Sequence, residues 1–166
     1  MKTCHYAFAA LILCVAVLAG CATTPDANLS PMQKRMITTK QIEGSYENVY
    51  RATMTVLQDQ GYVIKNTDMA SGLIVANIDR ETSKGNQFWQ EVLDGSIDDK
   101  GTFIECAVTI NKINDTLQEL RMNFQETHYN QFGGTTDVKQ ITESKVYEEL
   151  ANQIRVEVKR REALGR

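Results

Sequence analysis

The side chains with intrinsic reactivity are few, and their spacing decides what they can do. The chain of 166 residues has four cysteines and two histidines. Cys4, Cys14 and Cys21 crowd the first 21 positions with His5, leaving Cys106 and His128 alone in the remainder. A zinc site takes three or four clustered ligands, and no local ligand spacing joins Cys106 to His128. Asp94 and Asp98-Asp99 lack the spacing and closing glutamate of a calcium loop. No Gly-x-Ser-x-Gly elbow is present, and Gly133-Gly134 has no lysine or following helix start to make a phosphate loop. Glu148 and Glu149 are neighbours on a helical stretch, so their carboxylates point apart and form no acid and base pair. The expectation is a protein without catalytic residues, bound cofactor or metal, and therefore not an enzyme.

One cysteine has a context that the others lack. Lys2 is followed by an apolar run from Ala7 to Leu18, and small residues then lead into Cys21. This charged start, apolar middle and small-residue end is the pattern of a secretory signal peptide. A spanning helix needs about 20 apolar residues, and the run here barely reaches that before Gly20-Cys21 ends it. Leu18-Ala19-Gly20-Cys21 resembles the lipobox of bacterial lipoproteins. The resemblance implies cleavage after residue 20, a diacylglycerol thioether and a further fatty acyl chain such as palmitate on Cys21, and membrane attachment. Because Ala22 rather than an aspartate follows Cys21, it further implies the periplasmic face of the outer membrane. The inner membrane and a Gram-positive cell surface remain as alternatives. Loss of the leader would leave Cys106 as the only free thiol, with no intramolecular disulfide possible. Cys106 alternates in phase with Ile104, Val108 and Ile110, which predicts a small buried residue on one strand face.

The remainder divides into a tether over residues 21–35 and one α+β domain over residues 36–166. Both prolines of the chain, Pro25 and Pro31, lie in the tether. A flexible segment of this length has an end-to-end distance of about 20 Å, so it would hold the domain close to the bilayer. The formal charge of −3 becomes −4 once Lys2 is removed with the leader. That balance and the absence of a basic, aromatic-interleaved stripe argue against nucleic acid as a partner. Lys159-Arg160-Arg161 reads as the solvated end of a helix, where cations favour the negative end of the dipole, with a basic patch for anionic lipid as the alternative.

These side chains have to be positioned by a small set of elements. Met36 to Gln41 predicts a short edge strand. Tyr46, Val49, Tyr50, Thr53, Val56 and Leu57 recur at helical spacing between Ser45, suited to the N-cap, and Gly61, suited to end the helix. Tyr62 to Thr67 and Leu73 to Ile78 form a hairpin about Asp68 to Gly72. Asp79 to Lys100 is a polar excursion carrying Phe88 and Trp89. Thr102 to Ile113 and Leu117 to Thr127 alternate around Asn114-Asp115 as a second hairpin. After a loop at Gly133-Gly134, Thr142 to Ala163 carries Tyr147, Leu150, Ala151, Ile154 and Val158 on one stripe. The order β-α-β-β-β-β-α, with both helices on one face of an antiparallel sheet, is a two-layer α+β sandwich. Phe88, Trp89, Tyr129 and Phe132 either close the edge of the core or stand exposed as anchors for a partner.

Val56-Leu57-Gln58-Asp59-Gln60-Gly61-Tyr62-Val63-Ile64, followed by Asp68 and Gly72-Leu73-Ile74, resembles the repeated domain of the small lipoprotein of the outer-membrane β-barrel assembly machinery, and related uncharacterised lipoproteins. The match covers about Ile37 to Ile78, with weaker support at Gln140-Ile141 and Val146-Tyr147. It implies a helix-grip-like fold that binds neighbouring envelope proteins and performs no catalysis. The chain departs from that lipoprotein in having one such domain instead of two and a much shorter tether. The functional expectation is a binding or scaffolding module in envelope assembly or maintenance. The alternative is a carrier of lipid or another small apolar ligand, with its cavity between the last helix and the sheet.

Overall fold

The computed structural model describes residues 29–79, 102–129 and 134–165. Cys21 with the cleavage site expected before it, the greater part of the stretch read as a tether, and Phe88, Trp89 and Phe132 lie outside the described residues. The elements are helix α1 (Pro31–Thr38), strand β1 (Thr39–Glu43), helix α2 (Tyr46–Asp59), strands β2 (Val63–Asp68), β3 (Leu73–Asp79), β4 (Thr102–Lys112), β5 (Leu117–Tyr129) and β6 (Thr135–Gln140), and helix α3 (Ser144–Ala163).

The strands form one antiparallel sheet in the order β1-β5-β4-β3-β2, and β6 also pairs with β5. β1 runs along the first part of β5, from Leu117 to Arg121, and β6 along the last, from Gln125 to Tyr129. Between them the Ile141 amide donates to the Phe124 carbonyl at 3.0 Å. Two distant pieces of chain therefore share the work of capping one strand edge, which would otherwise offer unpaired backbone groups.

Alternation assigns the two sheet faces. Ala76, Cys106 and Phe124 are aligned across three strands, as are Ile74, Val108 and Met122. All six are at most 1% exposed, because α2 and α3 lie over this face. Val49, Val56 and Leu57 from α2, and Tyr147, Leu150, Ile154 and Val158 from α3, complete the core. The Phe124 and Tyr147 rings meet edge to face at 5.3 Å, a favoured arrangement of their quadrupoles. The Tyr147 hydroxyl donates to the Ile141 carbonyl at 2.6 Å, so its polar end is satisfied where its ring is buried.

The α2 boundaries follow from local chemistry. The Ser45 hydroxyl accepts from the Asn48 amide at 3.4 Å, and Gly61 takes the positive φ of 85° that ends the helix. Gly72 has a φ of 74° and sits so close to β4 that a Cβ there would lie 2.2 Å from the Ile110 carbonyl oxygen. The turn after β2 thus requires glycine for both conformation and space. The two helices are also tied together by polar contacts. Asn48 donates to the Val158 carbonyl at 3.4 Å and accepts from Arg161 Nε at 3.0 Å; within α3, Arg160 grips both oxygens of Glu157 at 2.6 and 2.7 Å.

Two elements differ from expectation. Residues through Thr38 are helical, so the first strand covers Thr39–Glu43 instead of Met36 to Gln41. Pro31 occupies the first helical position, where its fixed φ is suitable and its missing N–H costs nothing. The unbranched Met32 to Met36 then favour helix over the strand suggested by Ile37-Thr38-Thr39. This helix starts inside the stretch read as tether. The second difference is β6, which pairs where the sequence suggests loop.

Candidate functional site

The reactive side chains are not brought together. Cys106 is fully buried and opposite Phe124, while His128 lies at the far end of β5 opposite Thr102. Four residues of strand separate His128 from Phe124, or about 13 Å, too far for a thiol and imidazole pair. Burial pushes the Cys106 thiol well above its ordinary pKa, which suits a packing role and not a nucleophile. His128 lies 3.9 Å from Glu126. Among the described residues, no group of three or more histidine, cysteine or acidic side chains could hold a metal. Glu148 pairs with Lys40 and Glu149 accepts from Gln153, so the adjacent carboxylates serve separate contacts. Arg160 and Arg161 are likewise engaged, with Glu157 and Asn48.

What the fold does expose is the sheet face opposite the helices. Here Phe103, Thr127 and Val138 align across β4, β5 and β6. Tyr129, two residues on from Thr127 and therefore on the same face, meets Phe103 edge to face at 5.6 Å. Tyr129 is 38% exposed and Val138 53%. Of the four aromatic residues singled out from sequence, Tyr129 is the one described. It ends a strand instead of opening a loop, and it stands in an apolar patch with Phe103 and Val138. Phe103 and Val138 carry a signal legible in principle: each falls on the phase opposite the buried residues of its strand or its neighbour. Their pairing depends on β6, which the sequence pattern does not reveal.

Farther along the same face, α1 overhangs β4 and β5 to enclose a cleft of about 910 Å³. Lys34 and Arg35 from the helix and Arg121, Asn123, Gln125 and Gln140 from the sheet contribute its polar lining. Gln140 donates to Asn123 at 2.9 Å. A second cleft of about 880 Å³ lies at the end of α3, where Arg155 and Lys159 face Glu43, Asp115 and Glu162. The second carries one more carboxylate than cation, whereas the described lining of the first contains cations and no carboxylate.

No family model matches the chain, and no curated protein matches it significantly in sequence. Among solved structures it is similar to the adenylate sensor from AMP-activated protein kinase, crystallised with 5-aminoimidazole-4-carboxamide ribofuranotide. The identity is 11% and the TM-score 0.40, over 72% of this chain and 93% of that one. A likeness at that level carries no argument about function.

Proposed function

We propose that the chain is a lipoprotein anchored through acylated Cys21 at the periplasmic face of the outer membrane, and that its α+β domain acts by binding. Its role is that of a non-catalytic scaffolding module for an envelope protein in assembly or maintenance. The observation that carries the binding part is the asymmetry of the sheet. α2 and α3 bury one face of the central strands β3, β4 and β5, while the other leaves Phe103, Tyr129 and Val138 as an apolar patch beside polar strand residues. Aromatic side chains in such patches supply large contact area with few rotatable bonds, which suits partner recognition. The localisation rests on the residues from Leu18 to Cys21 and on Ala22.

The carrier alternative would require open space beneath α3. Ile104, Val108, Leu120 and Phe124 are at most 1% exposed, and Tyr147 and Leu150 pack over them. That packing favours the binding module over a cavity at this position. A photo-crosslinking residue in place of Tyr129, activated in cells, tests the reading: an envelope protein should be captured reproducibly and lost when the probe is moved to exposed Glu47. Capture of no protein, with an apolar molecule co-purifying instead, would reverse the preference. Separately, Cys21→Ala should abolish acylation and retain the leader; normally processed, membrane-anchored protein from that variant refutes the anchor.

A further inference from the structure

We propose that the cleft between α1 and the open sheet face binds a phosphate-bearing ligand through Lys34, Arg35 and Arg121. The three cations come from two elements and converge on one cleft of about 910 Å³. Most other arginines of the domain are committed: Arg51 to Glu47, Arg155 to Asn152, Arg160 to Glu157 and Arg161 to Asn48. Among the described residues, Lys34, Arg35 and Arg121 have no ion-pair or hydrogen-bond partner for their side-chain charge. A fold that pairs its arginines elsewhere and leaves three cations facing one concavity has built a region of positive potential.

The rest of the lining suits an oxygen-rich anion. Thr109, Asn123, Gln125 and Gln140 add hydroxyl and amide groups to the same walls. Pro31 also lines the cleft, so the positive end of α1 is there, and no acidic residue in the first turn neutralises it. Guanidinium groups match phosphate oxygens in forked pairs, and a lysine adds a point charge. Glu105 and Glu119 lie on the same sheet face, opposite Gln125 and two residues before Arg121, but neither lines the cleft. They limit the positive ground to the cleft itself. Met32, 75% exposed at its lip, offers an apolar surface for whatever the phosphate is attached to. The shared chemistry is a phosphate group, carried by an anionic lipid headgroup or by a soluble molecule.

The proposal does not rest on the anchored reading, and it is tested on the full chain in neutral detergent. Inorganic pyrophosphate, followed by calorimetry, probes the soluble source; phosphatidylglycerol doped into the micelles, followed by phosphorus NMR, probes the lipid source. At low salt at least one probe should bind, and binding should weaken with ionic strength. Arg121→Gln should weaken it by about tenfold or more, as expected for loss of one charge-assisted contact. Lys34→Gln should act in the same direction, whereas Lys65→Gln, an exposed cation on the opposite sheet edge, should leave it unchanged. Phosphatidylglycerol alone binding identifies a headgroup, and pyrophosphate binding identifies a soluble ligand; either supports the site. Absence of binding by both probes, or equal weakening by Lys65→Gln and Arg121→Gln, overturns it. A partner captured through Tyr129 would be unaffected by that failure.

Discussion

The two faces of the sheet are made from the same strands and obey opposite rules. On β5, Leu120, Met122 and Phe124 point beneath α2 and α3 and are at most 1% exposed. Their immediate neighbours Arg121, Asn123 and Gln125 point the other way and line a charged cleft. One residue of strand therefore separates the hydrophobic core from the surface that is free to recognise something. Variation is therefore tolerated unequally: the helix-covered face sets the fold, and the open face can change its chemistry at small cost in stability.

Substitutions along β5 and around it measure that division. The largest effect is expected from Phe124→Ala, which empties the center of the core beside Tyr147 and should lower unfolding free energy by about 3–5 kcal/mol in chemical denaturation. A smaller, pH-dependent effect is expected at Glu157, the buried carboxyl that Arg160 holds below the usual carboxylate range by hydrogen bonding. Because the folded-state pKa is depressed, this contact stabilises the protein above the ordinary carboxylate pKa and is lost as pH falls through the depressed value. Thermal melts between pH 7 and pH 3 should show Glu157→Gln destabilised at neutral pH and converging on the parent protein in acid; a constant difference across the range would remove the ionic contact from the account.

On the open face, Tyr129→Ala should cost only about 1 kcal/mol, the scale of an exposed edge-to-face pair, while reducing partner capture. Gln125→Ala, adjacent in sequence to Phe124, should stay within about 0.5 kcal/mol of the parent protein. A Gln125 variant as damaging as Phe124→Ala would show that the open face is covered by structure of its own, and the division between the faces would fail.

The helix-covered face was legible in the sequence because side-chain periodicity encodes it. Val49, Val56 and Leu57 at helical spacing, with Ser45 and Gly61 at the ends, gave α2, and strict alternation gave the hairpins around Asp68 to Gly72 and Asn114-Asp115. The antiparallel sheet and the two covering helices follow that reading. The open face was much less legible. β6 is a polar segment, Thr-Thr-Asp-Val-Lys-Gln, held by backbone hydrogen bonds to β5, and such bonding leaves no hydrophobic period. α1 exposes Met32 and Met36, so no apolar stripe marks it either. Both missing elements shape the candidate surfaces, since β6 supplies Val138 and α1 closes the cleft over Arg121. Tyr129 was recognisable as an aromatic outside the core pattern, and Phe103 belongs to its hairpin partner, but Val138 comes from a segment that only tertiary pairing unites with β5.

The shared edge of β5 also governs when this domain can fold. β1 brings Ile42 against Gln118, so that contact closes a loop through nearly half the chain. β6 and the Ile141 amide are needed to finish the same edge, and Tyr147, only six residues farther on, must then seat its ring on Phe124. High sequence separation slows such closure, and the core is not complete until the last helix has seated. A chain built this way completes the edge of β5 and the cover over Phe124 only with its C-terminal segments, so the sequence up to Tyr129 holds a sheet with one side of β5 unfinished.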